Sequence, residues 1–367
     1  MGALIVHEWL EPRGGSERVV DSMLEAFPRA KLVALWNDAP EKYREVRESW
    51  LAHTPLRHHK ALALPFEPST WRHVVAPGEF DFVLVSSHLF AHHVDVRSRN
   101  GDRVPKYVYA HTPARYIWEP NLDRRGASPA VRTAASTFRP VDRKRAQEAE
   151  RIAVNSRFVK DRVSRTWRRQ SEVIYPPVDV DEIIASNEQS QHFSSRDLAT
   201  LEQLPDMFLL GASRFVPYKR LDWVVRVGEE LGVPVVIAGS GPEEARLRDL
   251  SQDVSVPVLI VIGPSTGMLR ELYRRAALFI FPAIEDFGIM PVEAQAAGTP
   301  VVTTSVGGAR ETFIDGTSGV AAEADSLLEV AEAAERALRL PDFDPASAVG
   351  RFSKQRFMIE LQKWLQS

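Results

Sequence analysis

Two glutamates separated by seven residues form the stretch of this chain best suited to chemistry. They are Glu285 and Glu293, within the sequence EDFGIMPVE. The apolar run 277–282 comes just before them and predicts a buried strand. Pro291 suits the first position of a helix, and Gly298 suits the position just past its end. We therefore expect Glu285 in a strand-to-helix loop and Glu293 in the first helical turn.

The backbone between the two glutamates predicts an anion site. Phe287, Gly288 and Ile289 would present N–H groups at the start of the helix, where negative charge is favoured. A glutamate in a first helical turn is also favourable for the helix dipole alone, which is the structural alternative for Glu293. Two carboxylates on either side of an anion site suit a ligand with hydroxyls at both ends and phosphate between them, as in a nucleotide-sugar.

A pair of cations follows another predicted strand. Arg214 and Lys219 come directly after the apolar run 207–213, and Pro217 stiffens the loop between them. Either cation alone would be a typical surface charge. At the end of a strand, however, the two can converge on one diphosphate, so we predict that they bind phosphate.

The amino-terminal part of the chain predicts a strand, a glycine loop and a helix. An apolar run at 3–6 leads to Gly14 and Gly15, and apolar residues with helical spacing follow at 19–27. Such a loop brings backbone close to a phosphate, although a plain turn is the alternative. The dinucleotide fingerprint GxGxxG is absent, which disfavours a nicotinamide enzyme.

A histidine stands at the end of a further predicted strand. His111 follows the run 106–110, and ligands of parallel sheets bind at the carboxyl ends of strands. Arg115, Tyr116 and Trp118 follow it closely. Aromatic faces suit the apolar faces of a pyranose, so these three residues could line a sugar pocket; packing within a helix is the alternative.

Composition bounds the class of protein. The chain has 367 residues, of which 44% are hydrophobic and 26% charged, as expected for about two globular domains. The net charge of −3 argues against nucleic-acid binding, and the lack of cysteine excludes disulfides and thiol chemistry. The absence of a long apolar run and of a signal-peptide layout predicts a cytoplasmic protein.

Two further features are less informative. The pairs His58-His59 and His92-His93 lack the spacing that would close a metal site with a third ligand, so we predict none. The region 124–169 is strongly basic, which predicts solvated helix faces or, as the alternative, attraction to an anionic lipid surface. Segment 57–77 has no clear assignment.

Together these motifs resemble the retaining glycosyltransferases of family 4, which carry the E-x7-E signature. The resemblance spans the whole chain. It implies an α/β fold of the GT-B class, with two Rossmann-like, doubly wound parallel-sheet domains facing a cleft that holds the donor. The expected domains are residues 1–176 on the acceptor side and residues 177–350 for the nucleotide-sugar. Residues 351–367 should form a last helix that packs back on the first domain.

The resemblance also implies roles for the motif residues. Glu285 and His111 would act at the transferred sugar as the catalytic residues, and Glu293 would bind the ribose. Arg214 and Lys219 would hold the phosphates.

The remaining donor contacts follow from the same resemblance. Gly14 and Gly15 match a glycine pair that packs against the diphosphate, and the amides of residues 287–289 would join them. These groups would stabilise the departing nucleoside diphosphate, so no metal or other cofactor is expected. The resemblance implies retention at the anomeric carbon, with the leaving phosphate accepting the proton of the acceptor.

The run from His111 to Trp118 resembles one found in a subset of family 4 that uses GDP-mannose or related GDP-sugars. It therefore implies a mannosyltransferase acting on a glycan or a polyprenyl-diphosphate-linked glycan in cell-surface polysaccharide synthesis. Such an enzyme would work at the inner face of the membrane, in contact through the basic region 124–169. A UDP-sugar-dependent family 4 enzyme, a GT-B epimerase or phosphorylase, and a non-catalytic nucleotide-sugar-binding subunit are the alternatives.

Overall fold

The computed structural model describes residues 2–12, 14–74, 78–119, 129–186 and 193–367, without the side chains of 129–135. The chain forms two compact units. The first comprises Met1–Pro177 and Gln355–Ser367, and the second comprises Val178–Lys354. The first unit is thus built from both ends of the chain.

The first unit is organised around a seven-stranded sheet whose strand pairs are all parallel, in the order β3-β2-β1-β4-β5-β6-β7. Its strands are short and, apart from the two edge strands, mainly apolar and buried, as expected for a sheet covered on both faces. In chain order they are β1 (Ala3–His7), β2 (Lys31–Ala34), β3 (Val46–Glu48), β4 (Phe82–Ser87), β5 (Lys106–Ala110), β6 (Arg151–Val154) and β7 (Glu172–Val173).

Helices cover both faces of this sheet, and each face has its own apolar core. The last helix belongs to the face that also carries the first. The helices are α1 (Gly15–Ala26), α2 (Lys60–Ala63), α3 (Glu67–Arg72), α4 (Arg115–Trp118), α5 (Pro129–Ala146), α6 (Arg157–Thr166) and, from the end of the chain, α15 (Lys354–Gln366). Segment 57–77, which the sequence left unassigned, contains α2 and α3; residues 75–77 lie outside the described part.

The second unit has a six-stranded parallel sheet in the order β10-β9-β8-β11-β12-β13. Its strands are β8 (Leu209–Arg214), β9 (Val235–Ser240), β10 (Val258–Ile262), β11 (Leu278–Phe281), β12 (Val301–Thr304) and β13 (Gly319–Ala322). Its helices are α7 (Val180–Ser186), α8 (Ser195–Leu201), α9 (Leu221–Leu231), α10 (Glu244–Gln252), α11 (Thr266–Arg275), α12 (Ile289–Ala296), α13 (Leu327–Ala337) and α14 (Pro345–Val349).

The prediction of two doubly wound parallel sheets is confirmed. One local prediction is wrong: α12 begins at Ile289, two residues before Pro291, so Glu293 lies in the second helical turn. Pro291 is tolerated there because the first N–H groups of a helix have no partner within it. Gly298 does lie just past the end of the helix, with a φ of +91°. No helix among the described residues is both long and apolar enough to cross a membrane.

Candidate active site

The carboxyl edge of the six-stranded sheet brings a predicted cation and a predicted carboxylate together. Lys219 lies in a 3₁₀ turn after β8, and Glu285 lies in the loop after β11. The Nζ atom of Lys219 donates a hydrogen bond to Oε1 of Glu285 over 2.5 Å. The exposed fractions of the two side chains are only 10% and 16%. The two residues that the sequence assigned to phosphate and to sugar therefore form one partly desolvated ion pair.

The second predicted cation lies closer to solvent. Arg214 is the last residue of β8, and its guanidinium donates to the hydroxyl of Tyr218 over 3.0 Å. Arg220 ends the 3₁₀ turn in the left-handed conformation, with a φ of +52°. Its guanidinium donates to the carbonyl of Ala324 and to Asp325. This bonding anchors the turn that carries Lys219.

The loop between Glu285 and α12 is built by close backbone contacts that the sequence analysis missed. The N–H of Gly308 donates to the carbonyl of Glu285 over 2.7 Å. A Cβ atom on Gly308 would lie 2.1 Å from the carbonyl oxygen of Asp286, so only glycine fits. Gly288 caps α12 with a φ of +120°. The Gly-Gly pair after β12 was the available signal, since such a pair permits this approach.

Glu293 and the start of α12 complete this part of the site. Glu293 is 8% exposed, and most of α12 is buried with it. Phe287 is buried just before the helix, and Gly288 and Ile289 open it. The predicted helix start beside Glu285 is therefore present, with its first N–H groups lacking partners within the helix.

In the first unit, His111 stands at the carboxyl end of β5, as predicted, and its Nε2 is 2.8 Å from the hydroxyl of Ser86 at the end of β4. His7 is the last residue of β1, and His88 directly follows β4. Their ring centres lie 6.5 and 6.3 Å from that of His111. Burial, together with nearby His88 and His7, lowers the pKa of His111 to about 3. Its imidazole is therefore neutral at pH 7.

Glu8 is a fully buried carboxylate beside this histidine cluster. Its Oε1 accepts hydrogen bonds from the N–H groups of His88, Leu89 and Ala91 and from the hydroxyl of Ser87. Burial alone would raise its pKa, but His88, His7 and the amide donors lower it overall. His7, Glu8 and His88 lie close enough to share a cation. The donors around Oε1 already account for that oxygen, and Nδ1 of His88 lies 3.3 Å from Oε2.

The predicted glycine loop is present, and a carboxylate lies over it. Gly14 precedes α1, which begins at Gly15. A Cβ atom on Gly14 would lie 2.0 Å from Oε2 of Glu17. Glu17 accepts hydrogen bonds from the hydroxyl of Ser16 and from the N–H of Glu11. Burial raises the pKa of Glu17, but His7 and Ser16 outweigh it and bring the value to about 2. Sequence reasoning missed this residue.

Trp118 is held inside the first unit by a buried carboxylate. Its Nε1 donates to Oδ2 of Asp142 over 2.7 Å, and Nε1 of Trp167 donates to the same oxygen at the same distance. Nε2 of His93 lies 3.1 Å from Oδ1, and Nε2 of His92 lies 3.2 Å from it. Arg115 and Tyr116 lie with Trp118 on the short helix α4.

The same cluster contradicts the expectation that the pair His92-His93 lacks a third potential metal ligand. His92 and His93 do meet a third potential ligand, Asp142, which comes from α5 and is remote in sequence. Local spacing could not reveal it. Because the indole N–H groups of Trp118 and Trp167 bind its other oxygen, Asp142 has protein partners at both oxygens.

Several described cations of the basic region bond within the fold. Arg143 donates to the carbonyl of Thr166, and Arg145 pairs with Glu148. Arg169 donates to three backbone carbonyls between residues 147 and 150. The predicted cations Arg124 and Arg125 lie outside the described residues. Contact of this region with a membrane remains a prediction.

A hollow of about 570 Å³ opens at the carboxyl edge of the first sheet. Two ion pairs line it, Arg57 with Asp38 and Lys60 with Glu11. The Nζ atom of Lys60 also lies 4.4 Å from the ring centre of Trp9. The hollow thus offers both charges and, beside it, an aromatic face.

Two family models match the chain in sequence. Residues 13–182 match the model described as Glycosyltransferase Family 4, and residues 199–356 match the one described as Glycosyl transferases group 1. D-inositol 3-phosphate glycosyltransferase from Mycobacteroides abscessus is 30% identical over 185 residues, which are 47% of this chain and 41% of that protein. The protein of the same name from Mycobacterium bovis is 28% identical over 278 residues, 72% of this chain and 55% of the relative. The chain thus spans about half the length of these relatives.

Solved structures share the fold over the full chain. HepE from Anabaena in complex with UDP has a TM-score of 0.72 at 19% identity, with all of both chains covered. Sucrose-phosphate synthase from Thermosynechococcus elongatus has a TM-score of 0.71 at 18% identity, covering 100% of this chain and 98% of that one. The expected GT-B fold is confirmed. Because glycosyltransferase family models match both halves of the chain, the chain belongs to the group 1 and family 4 glycosyltransferases.

Proposed function

We propose that this protein is a retaining, metal-independent glycosyltransferase that moves a hexose from a nucleotide-sugar to a glycan or lipid-linked glycan. The observation that carries the proposal is the pair of Lys219 and Glu285, joined over 2.5 Å at the carboxyl edge of the second sheet. A donor would separate this pair: its phosphate takes Lys219, and a sugar hydroxyl takes Glu285. Each charged group then keeps a partner, which limits the cost of desolvation.

The reaction requires stabilisation of a leaving anion. As the bond from the anomeric carbon to the diphosphate breaks, its electron pair stays on the phosphate oxygen. Lys219, Arg214 and the N–H groups at the start of α12 would stabilise the charge that develops there. The acceptor oxygen bonds to the anomeric carbon, and its proton passes to the leaving phosphate. Glu293 would bind the ribose, and the neutral imidazole of His111 would orient the sugar.

Two classes of nucleotide-sugar are candidates for the donor. The run from His111 to Trp118 favours GDP-mannose. HepE, which shares the fold, is known in complex with UDP and with UDP-glucose, and a UDP-hexose is therefore the alternative donor. We retain GDP-mannose as the first choice and a UDP-hexose as the second.

We place the acceptor on the first unit. The hollow beside β1 and β2 combines the paired charges of Arg57 and Lys60 with the ring of Trp9, and such groups suit sugar hydroxyls and the apolar face of a pyranose. A polyprenyl-diphosphate-linked glycan would bring the protein to the inner face of the membrane, where the basic region 124–169 would favour anionic lipid.

A thermal-shift panel tests this function and names the donor. GDP, UDP, ADP and their hexose conjugates are compared with and without EDTA. A ligand at 100 times its Kd should stabilise the protein by about 2.7 kcal/mol. Stabilisation by GDP-mannose that survives EDTA would support the proposal. A response to UDP-sugars alone would replace the donor, whereas loss of every response in EDTA would overturn metal independence.

A further inference from the structure

Three side chains, those of Glu17, His7 and Ser86, connect the glycine loop of the first unit to His111. Oε1 of Glu17 lies 3.9 Å from Nε2 of His7, an ion-pair distance. Nδ1 of His7 lies 3.1 Å from both the carbonyl oxygen and the hydroxyl of Ser86. That hydroxyl lies 2.8 Å from Nε2 of His111. The first three members lie in α1, β1 and β4, and His111 directly follows β5, so regular elements position the chain of contacts.

The backbone carbonyl of Ser86 determines which nitrogen of His7 carries a proton. A backbone carbonyl can only accept, so the contact with the carbonyl of Ser86 requires a proton on Nδ1 of His7. Nε2 of His7 is buried, has no hydrogen bond among the described residues, and faces the carboxylate of Glu17. A bare lone pair there would be repelled by the carboxylate, so a second proton is favoured. This arrangement therefore favours a cationic His7, with a donor at each nitrogen.

The charges around His7 agree with this assignment. Burial would lower its pKa, but Glu17 and Glu8 raise it above the usual value. The other titratable groups that face the cluster are His88, His111, Tyr109, Lys60 and Glu67. Glu67 is buried and has a raised pKa, because burial and the charge of Glu8 disfavour its ionised form.

The protonated Nδ1 of His7 leaves the hydroxyl of Ser86 with one acceptor among its described contacts. Because that Nδ1 donates and cannot accept, the hydroxyl proton goes to Nε2 of His111. His111 is then neutral with its proton on Nδ1. In the described residues no protein group accepts from that Nδ1, so its N–H remains available to a ligand.

We propose that Glu17, His7 and Ser86 are positioning residues that fix His111 as the tautomer with its proton on Nδ1. His111 then presents a hydrogen-bond donor at the carboxyl end of β5. It would donate to an oxygen of its ligand rather than act as a base. That this oxygen is a hydroxyl of the donor sugar rests on the proposed function; the tautomer itself does not.

Long-range ¹H–¹⁵N NMR of the ¹⁵N-histidine-labelled protein tests the tautomer directly. His111 is assigned by comparison with His111→Asn. The wild type should show His111 with a protonated Nδ1 and a bare Nε2 from pH 5 to pH 8, and His7 as a cation at pH 7. A proton on Nε2 of His111 in the wild type would overturn the proposal.

Substitutions separate the members of the chain. Ser86→Ala should give a mixture of His111 tautomers, whereas Ser86→Thr, which keeps the hydroxyl, should restore the single one. Glu17→Gln should leave His7 neutral at pH 7. Ser251→Ala removes an exposed hydroxyl elsewhere and should change nothing. An unchanged His111 signal in Ser86→Ala would contradict the proposal that Ser86 fixes the tautomer of His111.

Steady-state kinetics supply a second test of the positioning role. They use the donor that the thermal-shift panel identifies. Ser86→Ala should lower kcat at least about tenfold, with KM little changed and with recovery in Ser86→Thr, as for groups that only orient an active residue. If no nucleotide binds but His111 still carries its proton on Nδ1, the proposed function is wrong and the positioning of His111 by Ser86 is still supported. If transfer occurs and kcat is the same in Ser86→Ala, the positioning role fails alone.

Discussion

Individual side chains decide how this protein would exchange an internal ion pair for a ligand. Lys219 and Glu285 neutralise each other in a partly buried setting. Any donor must therefore compete with Glu285 for the ammonium group. This competition predicts that the two residues respond differently to substitution, although both belong to one site.

Removing the carboxylate should separate binding from transfer. In Glu285→Gln, Lys219 no longer has an anionic partner, so the free nucleoside diphosphate should bind as tightly as in the wild type or more tightly. Transfer should fall by roughly 100-fold or more, because the hydrogen bond from a sugar hydroxyl to an ionised acceptor is lost. Calorimetry and a donor-consumption assay measure the two effects. Weaker nucleotide binding together with normal transfer would contradict the assigned roles.

Asp142 should be a strong determinant of stability. Its carboxylate accepts from two indoles and a histidine with no exposure, and Asp142→Asn leaves those donors without a charge at a cost of about 3–5 kcal/mol. Burial would raise the pKa of Asp142, but His92 and His93 outweigh it and hold that pKa well below its usual range. The contribution is thus complete above the unfolded pKa of about 4 and declines below it.

Thermal unfolding of wild type and Asp142→Asn from pH 7 to pH 3 tests this. The gap in Tm should be constant down to about pH 4 and narrow at lower pH. A gap that widens on acidification would mean that the carboxylate is not ionised in the folded protein.

At the scale of elements, the periodicity of the sequence predicted most strands and helices, because buried parallel strands are short apolar runs. It misplaced the start of α12, since Pro291 is acceptable at more than one position of a first turn. Contacts between elements remote in sequence could not be predicted. Asp142 beside His92 and His93 is one case, and Gly308 against Asp286 is another. Glu17 was missed because a glutamate in a first helical turn has an ordinary explanation.

The backbone contact of Gly308 should be essential for the geometry of the Glu285 loop. In Gly308→Ala the new Cβ would meet the carbonyl oxygen of Asp286 at 2.1 Å, so the loop must move. We expect nucleotide binding to weaken at least about tenfold, since small displacements of binding groups are costly. Gly350→Ala is the matched control, because no atom lies within 4 Å of its added Cβ. Equal affinities in the two variants would refute this role.

The last helix should stabilise the first unit. Trp364 of α15 is 4% exposed, lies 5.6 Å from the ring of Tyr107, and accepts a hydrogen bond from Arg151 at its carbonyl. Trp364→Ala should cost about 3–5 kcal/mol of unfolding free energy in urea titration. Ile359→Ala, at an exposed position on the same helix, should change it by less than about 1 kcal/mol. Similar losses in both variants would mean that α15 is not part of the core.

At the scale of the whole molecule, the same design occurs twice: a parallel sheet with polar groups at its carboxyl edge. The second unit supplies the Lys219–Glu285 pair and the start of α12, and the first supplies His111 with its supporting chain. The sequence predicted the site residues that belong to contiguous motifs, such as Lys219, Glu285 and His111. It missed His7, Glu8, Ser86 and His88, which only the pairing of β1, β4 and β5 brings together.

The central claim is that Lys219 binds the diphosphate of a nucleotide-sugar, and calorimetric titration tests it most directly. The nucleoside diphosphate preferred in the thermal-shift panel is titrated into the wild type, Lys219→Ala and Lys42→Ala, in which the control lysine forms an exposed pair with Asp21. We predict binding by the wild type and by Lys42→Ala, and a loss of about 2–5 kcal/mol in Lys219→Ala. Undiminished affinity in Lys219→Ala, or no nucleotide binding by the wild type, would contradict the account.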